Sequence, residues 1–309
     1  MTGQVRCTVC GQTNGRELFT TRERRFGLGD DRFAVIRCAG CGLVRTEPQP
    51  KVMGDYYPRG YYSFQPPADP TILTRARIDR RYHRPIRAGR DIALLSRIAA
   101  KRLTPGLPPG PPGRLVDVGC GSGEDLAALR YAGWDARGVE VSSDAVDAAR
   151  AAGLDVHLGD LRNADFESQS FDAVRFWHSL EHTESPRDEL AEARRILRPG
   201  GTITVGVPNF ASLLARLSKH RWFYLDVPRH LWHFESRPLA RLLRETGFRD
   251  PDVRLVTTSS PLLGTLDFLR GRDGVLASRR ALWLAALPIE MALDAIGLGD
   301  AIEATAVAA

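Results

Sequence analysis

The segment 114–118, Arg-Leu-Val-Asp-Val, runs without interruption into Gly119-Cys120-Gly121-Ser122-Gly123 and then into a helix-forming stretch that opens at Glu124. Alternating glycines let the chain turn sharply and let a ligand approach the main chain where a Cβ would collide. A short strand, a glycine-rich turn and a helix, in that order, open a parallel sheet wound on both faces, so this unit constrains the fold more than any other feature. The chain downstream keeps the pattern. Apolar runs predict strands over 135–139, 155–158, 171–176, 202–207 and 253–258, helices over 124–132, 143–152, 186–197 and 237–246, and a last strand over 301–307. The expected fold class is α/β: a doubly wound, mainly parallel, seven-stranded, Rossmann-like sheet occupying 114–309.

The turn by itself fits a dinucleotide as well as other nucleosides, and charge separates them. Glu124 and Asp125 suit the positive end of a helix but repel a pyrophosphate that needs the same place. S-adenosylmethionine carries a sulfonium cation and no phosphate, and tolerates these acids. Glu140 ends the second strand, where a carboxylate can accept from both ribose hydroxyls. Asp160 follows the third, where it can accept from an adenine amino group. Gly119, Gly121, Gly123, Glu140 and Asp160 are therefore expected to line the cofactor.

Four of the five cysteines form two paired turns, Cys7-x-x-Cys10 and Cys38-x-x-Cys41, each followed by a glycine, Gly11 and Gly42. This is zinc-ribbon spacing, although two disulfides are the alternative. No apolar run near Met1 reads as a secretion signal, so the chain is expected in the cytosol, where thiols stay reduced and zinc is favoured. Four thiolates leave no open position, so the ion would be structural. The ribbon module is placed at 1–50. Between it and the sheet, 51–113 holds an aromatic stretch (55–62), expected as an ordered loop. It also holds an arginine-dense helical segment with Arg75, Arg77, Arg80, Arg81, Arg84, Arg87 and Arg90, and a Pro/Gly linker. Lys+Arg 43 against Asp+Glu 37 gives a net charge of +6, a diffuse excess that decides little about partners.

The runs Val116 to Gly123, Gly138-Val139-Glu140, Gly159-Asp160 and Ile196-Leu197-Arg198-Pro199-Gly200-Gly201 resemble the motifs of class I methyltransferases over 114–258. The resemblance implies that Asp117, with Gly119, Gly121, Glu140 and Asp160, contacts S-adenosylmethionine. Cys120 reads as a small residue that fits the turn.

Methyl transfer from a sulfonium is an in-line displacement, so the protein must align the nucleophile, exclude water and sometimes remove a proton. After the fourth strand comes Trp177-His178-Ser179-Leu180-Glu181-His182. Its HxxEH pattern occurs in metalloproteases, but here it follows a strand inside a nucleotide-binding sheet. Glu181-His182 resembles the Glu-His pair of small-molecule methyltransferases, including quinone O-methyltransferases in which such residues assist a divalent ion. A second cluster, Asp226-Val227-Pro228-Arg229-His230-Leu231-Trp232-His233-Phe234, is expected to close over the site. A zinc-binding module before a class I domain also resembles the C-methyltransferases of nucleotide-linked deoxysugars. His230 matches the basic histidine of their Tyr-x-Glu-His segment, while Val227 and Arg229 replace its tyrosine and glutamate, and the extra C-terminal domain of that family has no counterpart. His230, as general base, and His182 are the candidate catalytic residues.

The acceptor is expected to be a small molecule: a sugar, polyketide, quinone or lipid-linked intermediate. The competing reading is an RNA methyltransferase gripping nucleic acid through the ribbon and the arginines. No Asn/Asp-Pro-Pro-aromatic motif follows the fourth strand, which removes one RNA chemistry. The region 260–299 reads as an apolar helical insertion with a stripe of Leu282, Ala285, Ile289, Ala292, Leu293 and Ile296, from which Glu290 and Asp294 are excluded. That stripe either packs on the domain or contacts a membrane surface through 275–298.

Overall fold

The computed structural model describes residues 5–58, 61–64, 106–256, 261–271 and 280–309, so the arginine-dense segment 75–103 lies outside the described residues. The N-terminal chain forms three antiparallel strands: β1 (Gly15–Arg22), β2 (Arg32–Cys38) and β3 (Val44–Glu47). The small sheet has a fourth strand, and it comes from far downstream. β9 (Trp232–His233) pairs antiparallel with β3, placing Val44 opposite His233 and Arg45 opposite Trp232. The aromatic stretch supplies two short 3-10 turns, Met53–Tyr56 and Tyr62–Phe64.

The large sheet contains β4 (Arg114–Val118), β5 (Asp135–Glu140), β6 (Val156–Leu158), β7 (Phe171–Trp177), β8 (Leu197–Pro208), β10 (Phe248–Val256) and β11 (Ala301–Ala308). Its order is β10-β11-β8-β7-β4-β5-β6, with β11 running antiparallel between β8 and β10. The doubly wound, mainly parallel seven-stranded sheet is therefore as expected. β4 is central. The chain winds from β4 to β5 and β6 on one side, then returns to place β7 and β8 on the other, which puts the topological switch point at the carboxyl ends of β4 and β7.

Local chemistry explains the helices between these strands. α1 (Glu124–Tyr131) begins after Gly123, whose φ of 87° needs no Cβ, and carries Glu124 and Asp125 in its first turn. α2 (Ser143–Ala151) is capped by Ser142 Oγ, which accepts from Ala145 N. α3 (Pro186–Ile196) starts on Pro186, has Asp188 and Glu189 in its first turn, and ends with Arg194 and Arg195. α4 (Leu213–Ser218) and α5 (Ser236–Glu245) follow β8 and β9. β8 starts at Leu197, five residues before the predicted strand, because Leu197 already pairs with Phe171 before the register shifts across the Arg-Pro-Gly-Gly stretch. β10 likewise begins at Phe248, held opposite Ala308.

One apolar cluster joins the two sheets. Cys7, Val9, Cys38 and Leu43 of the N-terminal chain pack in the same cluster as Val116, Phe176, Val205 and Leu231.

The insertion folds as α6 (Pro261–Leu269) and α7 (Arg280–Ala295), and its orientation divides the predicted stripe between surface and interior. Ala285, Ile289, Ala292 and Ile296 face outward, whereas Glu290 is only 5% exposed and accepts from Leu262 N at the start of α6. Leu282 and Leu293 of the stripe are half-buried, so the stripe meets the domain along one edge and solvent along the other. Among the described residues no helix is long and apolar enough to cross a membrane. Burial pushes the Glu290 carboxyl from its ordinary 4.5 up to about 8. The unfolded carboxyl ionises first, so this group costs stability as pH rises through that window. Glu290→Gln should therefore raise stability by roughly 1–2 kcal/mol near the upper end of the window and by little at its lower end, as read by thermal unfolding against pH.

Candidate active site

Three glycines of the β4–α1 turn adopt left-handed conformations: φ is 75° at Gly119, 55° at Gly121 and 87° at Gly123. Each is also closely packed. A Cβ on Gly119 would lie 2.4 Å from Ser179 Cβ, one on Gly121 2.6 Å from the Ser63 carbonyl oxygen, and one on Gly123 2.2 Å from Leu154 Cδ1. The turn is thus clasped by the segment after β7 on one side and by the aromatic stretch on another. Ser179 Oγ strengthens the first contact by donating to Val118 O at 2.6 Å.

Every main-chain N–H of the turn already has an acceptor. Gly119 and Cys120 donate to Val139 O, Gly123 donates to Cys120 O, and Ser122 donates to Ser63 O at 2.9 Å. Gly121 donates to Glu140 Oε2 at 2.9 Å, and the other oxygen of this buried carboxylate accepts from Ser142 N. A pyrophosphate would need those N–H groups and would meet the Glu140 charge. A nucleoside cofactor without phosphate needs neither. The argument from Asp125 is weaker than the sequence implied, because Arg175 Nη2 donates to Asp125 Oδ2 at 2.7 Å and matches its charge.

Arg175, missed in the sequence, also holds Asp117: its Nη1 donates to both carboxylate oxygens at 2.9 and 3.0 Å, and both side chains are buried. Asp117 therefore stands beneath the turn and braces it. Burial raises its carboxyl to about 6 against the opposing pull of Arg175. The available signal was the arginine inside the apolar run Ala-Val-Arg-Phe-Trp, since a strand covered on both faces must pair any charge it carries. Asp160 ends the next strand but one, where Oδ1 accepts from Asn163 N and Oδ2 from Arg162 Nη2. The turn, Glu140 and Asp160 thus lie at the carboxyl ends of three neighbouring strands.

Across the switch point, the residues after β7 and before β9 meet in a histidine cluster around the buried Glu181 and His230. The His182 and His230 rings are 4.5 Å apart, edge to face. His230 Nδ1 lies 2.8 Å from Tyr224 O, and a carbonyl can only accept, so Nδ1 carries the proton and Nε2 keeps its lone pair. That Nε2 is 4.0 Å from both Glu181 Oε1 and Asp226 Oδ2. Burial, reinforced by His182, lowers His230 to about 4. Glu181 is 1% exposed and neither oxygen has a hydrogen-bond partner, although His178 Nδ1 stands 3.6 Å away. Burial would raise this carboxyl, but His178, His182 and His230 outweigh it and hold it below its ordinary value. The ligand atoms of Glu181, His182 and His230 all lie within 4.8 Å of one another, a spacing that a divalent cation could span. His182 Nδ1 is 3.0 Å from Tyr57 Oη and 3.1 Å from Arg229 O. Tyr57, another residue without a sequence signal, brings the aromatic stretch onto the cluster, where its ring meets those of Tyr61 and Phe64.

The expected lid is not a lid. Leu225 to Phe234 is buried throughout and is built into the small sheet. Thr46 N donates to Leu231 O and Thr46 Oγ1 to His230 O, so a ribbon strand holds the backbone of the candidate base and of the residue after it. Arg229 is fully buried and donates to Asp226, to Glu23 Oε1 at 2.7 Å and to Tyr56 O at 2.8 Å. The four ribbon thiols also converge. Cys7 Sγ is 3.4 Å from Cys41 Sγ, Cys10 Sγ is 3.4 Å from Cys38 Sγ, and all four sulfurs lie within 4.8 Å of one another as free cysteines.

Comparison with known proteins agrees with this arrangement. A family model described as a methyltransferase domain matches residues 82–251. An uncharacterized 37.1 kDa protein in transposon TN4556 of Streptomyces fradiae is 34% identical over 156 residues, 46% of this chain and 45% of that protein. A ubiquinone biosynthesis O-methyltransferase of Methylococcus capsulatus is 33% identical over 147 residues, 43% of this chain and 62% of the relative. A malonyl-[acyl-carrier protein] O-methyltransferase of Dechloromonas aromatica is 29% identical over 246 residues, 74% of this chain and 91% of the relative. The chain spans only about half the length of the first relative and under two thirds of the second. The family match covers more than half of the 309 residues, coincides with the glycine turn and the histidine cluster, and assigns this chain to the methyltransferase domain family.

Proposed function

We propose that this chain transfers a methyl group from S-adenosylmethionine to an O or C nucleophile of a small molecule, with His230 as general base. One observation carries the reading: a glycine turn whose N–H groups are all spent on protein acceptors, Glu140 among them, adjoins the histidine cluster across the switch point. The two relatives named as O-methyltransferases act on small or carrier-bound acceptors by their names, which supports this reading over RNA. Gly119, Gly121, Gly123, Glu140 and Asp160 would hold the cofactor, with Asp117 bracing the turn from below. When bound, the cofactor supplies the activated methyl group. His230 Nε2 takes the acceptor's proton as the nucleophile attacks. The ionised Glu181 beside it favours the imidazolium that forms, and the Tyr224 carbonyl keeps the ring in the required tautomer. His182, held by Tyr57 and Arg229 O, packs against that ring and fixes its place.

We also infer that Cys7, Cys10, Cys38 and Cys41 bind one structural zinc. Their sulfurs are grouped as a tetrahedral ion requires. Elemental analysis should find zinc bound to the wild-type chain and absent from Cys38→Ser, with a lower melting temperature in that variant.

Gly121→Val should weaken S-adenosylmethionine binding by about tenfold or more in calorimetric titration, because the added side chain meets the Ser63 carbonyl in a backbone region that L side chains avoid. His230→Ala should bind S-adenosylmethionine normally but lose roughly 10²–10⁴ in turnover when labelled methyl is followed into a metabolite extract. Wild-type turnover in that variant excludes His230 as the base. Loss of wild-type turnover on chelation, with the ribbon zinc retained, would assign Glu181, His182 and His230 to a divalent cation instead. Label in nuclease-sensitive material would favour RNA.

A further inference from the structure

Of the candidate cofactor residues, Asp160 is the one that follows an edge strand. β6 is three residues long and ends the large sheet on that side, and Asp160 lies two residues beyond it. The sheet alone therefore does little to place this carboxylate. Part of its position comes from its own turn. Asp160 caps the 3-10 turn Leu161–Ala164, where Oδ1 accepts from Asn163 N at 2.9 Å, and Leu161 is fully buried in the core. The rest comes from α3, which packs against that turn. The Arg162 guanidinium lies between the two, and each of its nitrogens faces a different carboxylate. Nη2 donates to Asp160 Oδ2 at 3.1 Å, Nε stands 3.5 Å from Glu189 Oε1, and Nη1 stands 3.9 Å from Asp188 Oδ2.

Asp188 and Glu189 both suit the positive end of α3, yet their surroundings differ. Asp188 is exposed, whereas Glu189 is only 4% exposed and its Oε2 is buried without a hydrogen-bond partner. An unsatisfied buried carboxylate oxygen costs stability, and an exposed acid would serve the helix start as well. What burial achieves is contact with the two residues that follow Asp160. The Leu161 N–H and the Arg162 guanidinium both favour the charged form of Glu189.

We propose that Glu189 is a positioning residue for cofactor selectivity: acting through Arg162, it fixes the Asp160 carboxylate where it accepts from the adenine amino group. The inference rests on the methyltransferase reading and on Asp160 as the adenine acceptor. Hypoxanthine carries a carbonyl oxygen in place of that amino group, and a carboxylate held there repels it, so a fixed Asp160 separates the two bases and a displaced one does not. Burial, with Asp160 beside it, raises the Glu189 carboxyl to about 7, and Arg162 opposes the rise. The charged groups around it are Asp160 and Arg162 on the turn and Asp188 and Glu192 on its own helix. Only the ionised carboxylate holds Arg162, so the hold is complete above that value and is lost as pH falls through it.

The test is calorimetric titration of the full-length chain with S-adenosylhomocysteine and with its deaminated analogue, S-inosylhomocysteine, on the alkaline and acid sides of that value. Wild type is compared with Glu189→Gln and with Arg162→Met, whose half-exposed side chain can be removed without opening the core. Wild type should bind the adenine form about tenfold or more tightly on the alkaline side, with a smaller preference on the acid side. Both variants should bind the adenine form about fivefold or more weakly, leave the inosine form unchanged, and show one preference at both pH values. Equal weakening of both ligands marks a merely structural role and overturns the proposal, as does a wild-type preference that the variants keep. Wild type that binds both ligands equally overturns Asp160 as the adenine acceptor and the role of Glu189 with it. Wild type that binds neither overturns the methyltransferase reading itself.

Discussion

The buried guanidinium of Arg229 is the interaction on which the rest of the structure depends. Taking such a cation out of water costs several kcal/mol unless its donors are matched, and removing one partner of a buried pair is more damaging than never having built it. Its acceptors come from three separate stretches of chain: Glu23 in the N-terminal bend, the Tyr56 carbonyl in the aromatic stretch, and Asp226 in its own segment. The ring of Phe26 covers the guanidinium at 4.8 Å. Glu23 is shared further, because its carboxylate also accepts from the N–H groups of Arg25, Phe26 and Leu28 and so shapes the bend itself. The ribbon, the aromatic stretch and the candidate base can be satisfied only together.

That requirement changes what the cysteine-bearing segment is. A ribbon attached by a linker would leave β3 as an edge strand with unpaired main-chain groups. Here β9 pairs with it, and Thr46 binds the carbonyls of the candidate base and of the residue after it. The segment is a wall of the site, and a structural metal within it would set the position of His230 from a distance. The other wall is the glycine turn, clasped by Ser179 from the β7 side and by Ser63 from the aromatic stretch. Cofactor loop and histidine cluster are consequently held by overlapping sets of contacts.

The elements legible in the sequence are those written in local pattern. Buried parallel strands read as apolar runs, and glycine at positive φ is demanded by the backbone itself, so β4 to β7 and the turn at Gly119, Gly121 and Gly123 were located closely. Patterns that need a direction were less safe. Periodicity identified a stripe on α7 but could not say which face turns inward, and the structure buries Glu290 while exposing Ile289 and Ile296. Strand ends were missed where pairing, as at Leu197 with Phe171, extends a strand beyond its apolar run.

The sequence by itself determined the sheet class, the glycine turn, the paired cysteine turns and the identity of the histidines, because each depends on residue type and spacing along a few turns of chain. Only the tertiary structure decided that Asp117 braces the turn through Arg175, that Tyr57 meets His182, and that Asp226 to Phe234 is a buried segment joined to the small sheet through β9 and not a lid. Those outcomes join residues from 58 to more than 200 positions apart. The physical reason is that a charge or hydroxyl declares in the sequence only that it needs a partner. Which partner it finds is set by the packing that removes both from water.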